Sequence, residues 1–184
     1  MRKMVQSRFK RLLLLALGTG LVFFSGSNAQ AQEKYAISFT SLAKNATYTQ
    51  QYAIAVGDVP GHKIRIFEVR RIYPQNPPVF EGVPVKEAWR QGYSDYVDVN
   101  GPAWGYDNYI LENGDRIFLQ WVGTSAALGN TGGPKKSEYI GILTITGGTG
   151  KFLGIRGMLK ENLVFSPESG FNEAQTVGEY WIER

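Results

Sequence analysis

The chain has 184 residues, with no cysteine and a single histidine, and 43% of its residues are hydrophobic. This length fits one domain with a short appendage, and the lack of cysteine excludes disulfides as the source of its stability. The net charge of +4 comes from the N-terminus, because residues 1–31 hold five basic and no acidic residues. Residues 32–184 therefore carry 15 basic and 16 acidic residues, a balance that does not indicate a nucleic-acid-binding surface.

The first 31 residues have the three parts of a secretory signal peptide. A basic segment precedes an apolar run over residues 12–24, which is too short to span a bilayer comfortably. Ala29-Gln30-Ala31 then has the small-x-small form that signal peptidase cleaves. We expect cleavage near Ala31, general secretory export to the periplasm or beyond, no membrane anchor after cleavage, and a single domain over 32–184. An uncleaved membrane anchor is the alternative.

Beyond residue 31 the sequence is rich in Gly, Tyr, Phe, Ile and Val, and turn residues separate short apolar segments. That pattern predicts an all-β antiparallel meander without a sustained helix. The clearest hairpin surrounds Asn113-Gly114, a pair that favours a tight turn. The nine predicted strands are Tyr35–Phe39, Gln51–Gly57, Lys63–Ile72, Val85–Val97, Tyr106–Leu111, Arg116–Val122, Tyr139–Thr146, Ile155–Phe165 and Ala174–Glu183.

The third predicted strand has apolar residues on both faces. One face carries Ile64, Ile66 and Glu68, and the other carries Arg65 and Phe67. A sheet with one dry and one wet face would alternate more cleanly. Two-sided apolarity favours a barrel whose lumen is lined by side chains and whose outer wall is partly covered by partner subunits. A β-sandwich is the alternative.

A glycine-rich stretch between Thr144 and Gly157 is the most distinctive motif. It is not a Walker phosphate loop, because Ile145 stands where that loop needs glycine and Phe152 where it needs Ser or Thr. The dinucleotide fingerprint fails as well, since Leu153 occupies the position of its third glycine. We interpret the stretch as a tight connection between two strands, with Phe152 packed beneath the turn.

This stretch resembles allene oxide cyclases and dirigent proteins, which have a Gly-Gly-Ser/Thr-Gly-x-Phe motif between two late strands. Here the motif runs from Gly147 to Phe152, and the resemblance continues through Lys160 to Val177–Ile182. It implies an eight-stranded antiparallel, calycin-like β-barrel, an exported bacterial member of that superfamily, and a homotrimer. One barrel hosts unrelated sites, so the resemblance implies the fold rather than an activity.

Two departures separate the chain from these families. Ala36 stands where allene oxide cyclases have a glutamate on the first strand, and their pocket cysteine has no counterpart. Dirigent proteins use acidic residues and an arginine in the pocket. Arg156 lies in the matching segment, but no motif places the acids. Neither activity is transferred to this chain.

Glu68 and Arg156 are the candidate catalytic residues. If Glu68 shares an apolar lumen face with two isoleucines, desolvation raises its pKa, and it could donate or accept a proton. The alternative is a structural ion pair with Arg70 or Arg156. His62, the single histidine, is expected in an exposed turn. We expect no metal site and no cofactor, because no cluster of residues has ligand spacing.

Large aromatic rings are numerous for one small domain. Singly such rings are usually core residues, but as a set they are typical of an apolar pocket for a small ligand. Residues 90–101 run from a strand into a loop and either rim the barrel mouth or form a solvated loop. The residues predicted to line a ligand pocket are Trp89, Tyr93, Trp104, Tyr109, Trp121 and Tyr180.

These observations favour an exported β-barrel that binds a small hydrophobic or aromatic molecule in its lumen. The first alternative is a cofactor-free isomerase or cyclase that acts on a hydrophobic substrate, and it requires Glu68 and Arg156 to face one lumen. The second is a structural envelope protein with a filled barrel. The sequence names neither a ligand nor a reaction, and it does not decide whether the protein is an enzyme.

Overall fold

A computed structural model describes residues 32–129 and 136–183. The expected signal peptide lies outside the described residues. In the described part, a single antiparallel sheet is accompanied by two short 3-10 helices, Ala43–Asn45 and Gly150–Phe152. No helix within these ranges is long and apolar enough to cross a membrane. The strands are β1 (Tyr35–Ser41), β2 (Ala46–Ala55), β3 (His62–Ile72), β4 (Val79–Phe80), β5 (Val83–Val97), β6 (Gly101–Leu111), β7 (Arg116–Ala127), β8 (Ser137–Gly148), β9 (Ile155–Ser166) and β10 (Phe171–Ile182).

The nine predicted strands are all present, although β2 begins at Ala46 rather than Gln51. The predicted hairpin joins β6 to β7, and Gly114 has the positive φ, 86°, that its turn requires. The tenth strand, β4, was not predicted: it is a two-residue segment in the proline-rich connection after β3, and it folds back onto the start of β5. The expectation of eight strands is therefore wrong.

The sheet rolls into an open barrel rather than separating into a sandwich. Its order is β1-β10-β9-β8-β7-β6-β5-β3-β2, so β1 and β2 are the edges. Only residues 42–45 separate these edges along the chain, which keeps them close. Asn172 of β10 bridges the seam: it donates to the Tyr48 hydroxyl over 3.1 Å and accepts from Arg71 over 2.6 Å. No backbone ladder joins β1 to β2 in the described chain, so the expected full closure is wrong too.

Alternating burial identifies the inner face of each strand. In β3 the residues Arg65, Phe67 and Arg71 are buried, whereas Ile66 is 61% exposed. The charged and aromatic face is therefore inside, and the isoleucine face forms the outer wall.

Glycines on the inner wall make room for large rings. A Cβ on Gly105 would lie 2.7 Å from the Trp121 ring, and a Cβ on Gly141 would lie 2.4 Å from the Tyr139 ring. Both distances are shorter than van der Waals contact, so only glycine lets these rings lie flat against the wall. Trp121 and Tyr139 meet edge to face, with ring centroids 5.8 Å apart, and they fill the middle of the barrel.

Aromatic side chains seal one end of the barrel, here called the closed end. Phe80 of β4 is fully buried, with its ring centroid 5.0 Å from that of Tyr180 and 6.3 Å from that of Tyr109. Phe152 is also fully buried beneath the turn between β8 and β9, which confirms the interpretation of the glycine-rich stretch as a tight strand connection.

Candidate functional site

The opposite end, here called the open end, contains a cavity of about 370 Å³. Residues 50–55, the second half of β2, are exposed on both faces, so no other described element covers them. The turn between β5 and β6 and the turn between β9 and β10 complete the rim. Residues on the strands that line the cavity are Gln51, Ala53, Lys63, Arg65, Ser94 and Tyr96.

A second void lies deeper in the barrel and has a volume of about 20 Å³, enough for one water molecule. Arg90, Trp121 and Tyr139 are among its lining residues. Arg65 and Tyr96 line both spaces, so they form the partition between the open-end cavity and the inner void.

A buried ion cluster crosses the middle of the barrel. Arg90 forms a two-pronged ion pair with Asp107, with both N–O distances 2.7 Å, and binds Glu161 over 2.5 Å. Its guanidinium also lies 4.8 Å from the Trp121 ring centroid. All three charged side chains are at most 3% exposed. Their mutual hydrogen bonds make this burial tolerable.

Electrostatics keep this cluster ionised. Burial alone would lower the pKa of Arg90, but the Asp107 and Glu161 charges outweigh it and raise that pKa well above its usual value. Burial opposes ionisation of Glu161 as well, yet the charges of Arg90 and Arg71 hold its pKa below the usual value. The cluster is therefore a fixed structural wall and not a proton-transfer group near neutral pH.

Arg65, at the base of the open-end cavity, differs from Arg90. It is 9% exposed, lies 4.4 Å from the Phe67 ring centroid, and donates from Nη1 to the Gln51 amide oxygen over 3.1 Å. Its Nε has no hydrogen-bond partner in the part of the chain that the structure describes. Among the described residues, no carboxylate lies within 4.0 Å of its guanidinium. A buried charge without a counter-charge is unusual in a protein interior.

Further polar atoms in this region lack partners. The Ser94 hydroxyl is fully buried, and Ser94 is the cross-strand neighbour of Arg65. The Tyr139 hydroxyl and the Trp121 indole nitrogen, both at the inner void, are also unpaired within the described chain. Burial raises the pKa of Tyr139, so its hydroxyl stays protonated and can donate. Buried polar groups are normally hydrogen-bonded, so this group of donors is suited to a polar ligand.

The rim of the cavity is strained. The turn between β5 and β6 puts Asp98 and Val99 in the left-handed region, with φ values of 47° and 67°. Two-residue turns of this type favour Asn-Gly, and a β-branched residue there is a conformational outlier. Such strain is often found at ligand-binding sites.

The six predicted pocket residues occupy three different places. Trp121 lines the inner void. Tyr109 and Tyr180 are buried at the closed end. The remaining residues lie on the outer wall, where the Tyr93 and Trp104 rings pack at a tilt of 40° with centroids 4.3 Å apart and the Trp89 ring lies 5.5 Å from the Arg70 guanidinium.

Tyr93 and Trp104 belong to a continuous apolar row across six strands, here called the outer belt. The row follows the cross-strand register, and most of its side chains are exposed, from 39% at Ile142 to 68% at Tyr52. Its members, in order, are Tyr52, Ile66, Tyr93, Trp104, Val122 and Ile142.

The expected lumen position of Glu68 and Arg156 is wrong. Glu68 lies on the outer face of β3, where it accepts from Gln91 over 2.8 Å and from Thr49 over 2.7 Å. Those hydrogen bonds lower its pKa rather than raise it. Arg156 lies on the outer face of β9, 3.5 Å from Glu183, so neither proposed structural pair of Glu68 is formed. The alternation of side chains along β3 is responsible. The face that carries Arg65 and Arg71 points into the barrel, so Glu68 on the other face points outward.

His62 lies beside the cavity rim, at the start of β3. Its Nδ1 is 2.6 Å from Asp58 and its Nε2 is 2.7 Å from Asp95. The hydrogen bonds to Asp95 and Asp58 raise the pKa of His62. It therefore connects the turn that precedes β3 to the end of β5.

Sequence reasoning did not select Arg65 or Ser94 as site residues. The signal that could have found them is the row of small inner-wall residues, since Gly92, Gly105 and Gly141 share the inner face and leave space beside long side chains. Residues 90–101 were left between a barrel-mouth rim and a solvated loop, and four of them line the cavity: Ser94, Tyr96, Asp98 and Val99.

Comparison with known proteins gave one distant likeness to report. A pterocarpan synthase dirigent protein of known structure aligns over 97% of this chain and 100% of its own, at 13% identity and a TM-score of 0.40. No family model matches the chain, and no curated protein matches it. A likeness this distant does not assign a function.

Proposed function

We propose that this protein binds a small organic molecule, largely apolar or aromatic, in the cavity at the open end of its barrel. The observation that carries the proposal is the cavity itself: its volume of about 370 Å³ falls in the range of small-molecule sites. Its base holds Arg65, Ser94 and Tyr96. A few polar groups among apolar walls are the usual composition of such a site.

Binding rather than catalysis is the activity that these residues support. The isomerase or cyclase hypothesis depended on Glu68 and Arg156 in one lumen, and both side chains lie on the outer wall. The carboxylates that do lie inside, Asp107 and Glu161, are both bound to Arg90, and this pairing keeps Glu161 ionised.

We propose that the protein acts outside the cytoplasm, in the periplasm or secreted. The support is the sequence of residues 1–31, which has the basic, apolar and small-x-small segments of a signal peptide. Appearance of a form beginning at Gln32 in the exported fraction would support this, and retention of residues 1–31 there would contradict it.

We also propose that copies of the chain associate through the outer belt. Val122 is 60% exposed and Tyr52 68%, and monomers rarely expose a continuous apolar row of this extent. The row contains no charge, so a second copy of the same surface is a suitable partner. The edge of β2 ends the row, and an unpaired edge strand is normally covered.

Light scattering on Val122→Lys tests this association. The expected result is a larger assembly for the wild type, a trimer by the family resemblance, and a monomer for the variant. Gln120→Lys is the matched control, because Gln120 is exposed on the same face of β7 but outside the belt. A monomeric wild type would contradict the proposal.

The ligand-binding proposal is tested with the neutral fluorescent probe N-phenyl-1-naphthylamine and native mass spectrometry of the exported protein. Ala53→Trp places a ring in the cavity mouth, since Ala53 is exposed and lines it. Ile54→Trp places the same ring on the outer wall and is the control.

We expect one probe per chain, with binding lost in Ala53→Trp and kept in Ile54→Trp. Equal binding by both variants would show that the probe lies elsewhere. No probe binding and no co-purified small molecule would favour the structural envelope protein with a filled barrel.

A further inference from the structure

We infer that the open-end cavity is specific for a small organic carboxylate, whose negative charge is held by Arg65 and whose second hydrogen bond comes from Ser94. This inference rests on the proposed function and names its ligand class. It goes beyond an apolar ligand, because it predicts that charge, not only shape, determines what the cavity accepts.

The first argument is the charge balance inside the barrel. Among the described residues, the buried charged side chains are three arginines and two carboxylates, which leaves one positive charge. Arg90 takes both carboxylates, and the Arg71 charge acts on Glu161. Neither Arg71 nor Arg65 has a carboxylate within 4.0 Å among the described residues. Arg71 binds Asn172 over 2.6 Å and does not line the cavity, whereas Arg65 lines the cavity and lacks a counter-ion there. A ligand with one negative charge would supply this counter-ion. A charged partner offsets the free-energy cost of burying an ion far better than a neutral partner does.

The second argument is unused hydrogen-bonding capacity. An arginine has five N–H donors, and the structure gives Arg65 one hydrogen bond, to Gln51 at 3.1 Å. Gln51 is exposed, so its side chain can leave without cost to the core. A guanidinium matches the planar, two-oxygen geometry of a carboxylate. The geometry therefore favours a carboxylate over a lone hydroxyl or a sulfonamide.

The third argument is the row of residues around Arg65. Ala53, Arg65 and Ser94 are cross-strand neighbours on β2, β3 and β5, and all three line the cavity. The Ser94 hydroxyl is fully buried, and no described residue pairs with it. Next to the guanidinium it can donate to the same carboxylate, while Ala53 leaves the approach open.

The other charges that line the cavity limit the ligand to a single negative charge. Lys63, Asp98 and Glu168 line it, and all three are exposed at the rim, where solvent screens them. Asp98 and Glu168 disfavour a second negative group near the entrance. Tyr96, Val99 and Pro167, which line the cavity, offer apolar surface for the body of the ligand.

The test compares 2-naphthoate with 2-naphthamide by isothermal titration calorimetry on residues 32–184. The two probes share size and shape and differ in charge. The wild type should bind the acid at least tenfold more tightly than the amide, because hydrogen bonds to a charged group are worth about that factor. Arg65→Met should remove this preference. Arg116→Met is the matched control, since Arg116 is exposed at the closed end.

Ser94→Ala keeps the inference testable if Arg65→Met fails to fold. Ser94→Ala removes an unpaired buried hydroxyl, so the melting temperature should stay unchanged or rise. Naphthoate binding should nevertheless weaken roughly threefold to tenfold. If Ser94 had only a structural role, a variant with an unchanged melting temperature would bind naphthoate as tightly as the wild type.

Each outcome has one meaning. Equal affinity for acid and amide in the wild type, or an acid preference that survives Arg65→Met, overturns the carboxylate inference. If the neutral probe still binds in an Ala53-dependent manner, the proposed function stands. If neither naphthyl probe nor the neutral probe binds, the proposed function itself fails.

Discussion

The two ends of the barrel are built on the same strands but are completed in opposite ways. At the closed end, Phe80, Phe152 and Tyr180 pack ring against apolar side chain and leave almost no exposed surface. At the open end, Arg65 and Ser94 are also buried but have polar atoms that are unpaired within the described chain. One end therefore supplies stability, whereas the other keeps polar groups available at a cost in stability.

The buried ion cluster lies between these two ends and allows one to be packed while the other keeps a cavity. Arg90 binds Asp107 and Glu161 on one side and lies over the Trp121 ring on the other. It therefore separates the packed half of the lumen from the cavity. Variants that remove this wall, the closed end or the strain at the open end will affect stability and binding differently.

The largest effect is expected for Glu161→Gln. Loss of one carboxylate leaves Arg90 with an incomplete set of buried partners, which should lower the free energy of unfolding by about 3–5 kcal/mol. Urea denaturation followed by tryptophan fluorescence measures it. Glu179→Gln is the control: its ion pair with Lys34 is exposed and should contribute less than about 1 kcal/mol. If Glu161→Gln lowered the free energy of unfolding as little as Glu179→Gln, the ion cluster would not be the structural wall proposed here.

Phe80→Ala tests the closed end. Removal of a fully buried ring leaves a cavity between Tyr109 and Tyr180 and should cost about 3–4 kcal/mol. Naphthoate affinity should remain within about twofold of wild type at a temperature where the variant is folded, since the ring lies at the end opposite the cavity. Val79→Ala, which truncates an exposed neighbour, is the control. A parallel loss of affinity would show that the two ends are not independent.

The fold was largely predictable because its signals are local. Turn residues such as Asn113-Gly114 and the run from Gly147 to Phe152 punctuate the strands, and period-two patterns identify the strands between them. The two-residue β4 was not predictable, since it exists only through its pairing with β5.

The site was less predictable because the barrel interior is polar. Isoleucines at 64 and 66 suggested the inner face of β3, but long-range pairing places Arg65 there and leaves Ile66 to the outer belt. The choice between two similar faces depends on partners distant in sequence, such as Asn172 for Arg71. Trp121 was predicted to line a pocket only because it is a large aromatic residue. Tyr93 and Trp104 were predicted on the same basis, but they face outward.

Val99→Gly addresses the strain at the open end. Glycine adopts the left-handed conformation of Val99 without steric cost, so stability should rise by about 1 kcal/mol. Val97→Gly, in the extended strand just before the turn, should instead lower stability. Thermal denaturation of both variants measures the effect. A loss of stability in Val99→Gly would contradict the assignment of strain to this turn.

The smallest effect concerns pH. Hydrogen bonds to Asp95 and Asp58 raise the pKa of His62 above its unfolded value of about 6.5. The stabilisation from protonated His62 is therefore fully present below that value and is lost as pH rises through the raised, folded-state pKa. NMR titration of the imidazole carbons gives the pKa, and melting temperatures across the same pH range give the stability. His62→Gln should abolish this step, and its persistence would assign it to another group.

The most direct test of the central claim is a methyl NMR titration of the wild type with 2-naphthoate. We expect shifts at Ala53, Val99 and Leu163, which line the cavity or the inner void, and none at Val85 and Ile155 of the closed end. Shifts confined to Ile66 and Val122 would place the ligand on the outer belt and would contradict a binding site in the open end of the barrel.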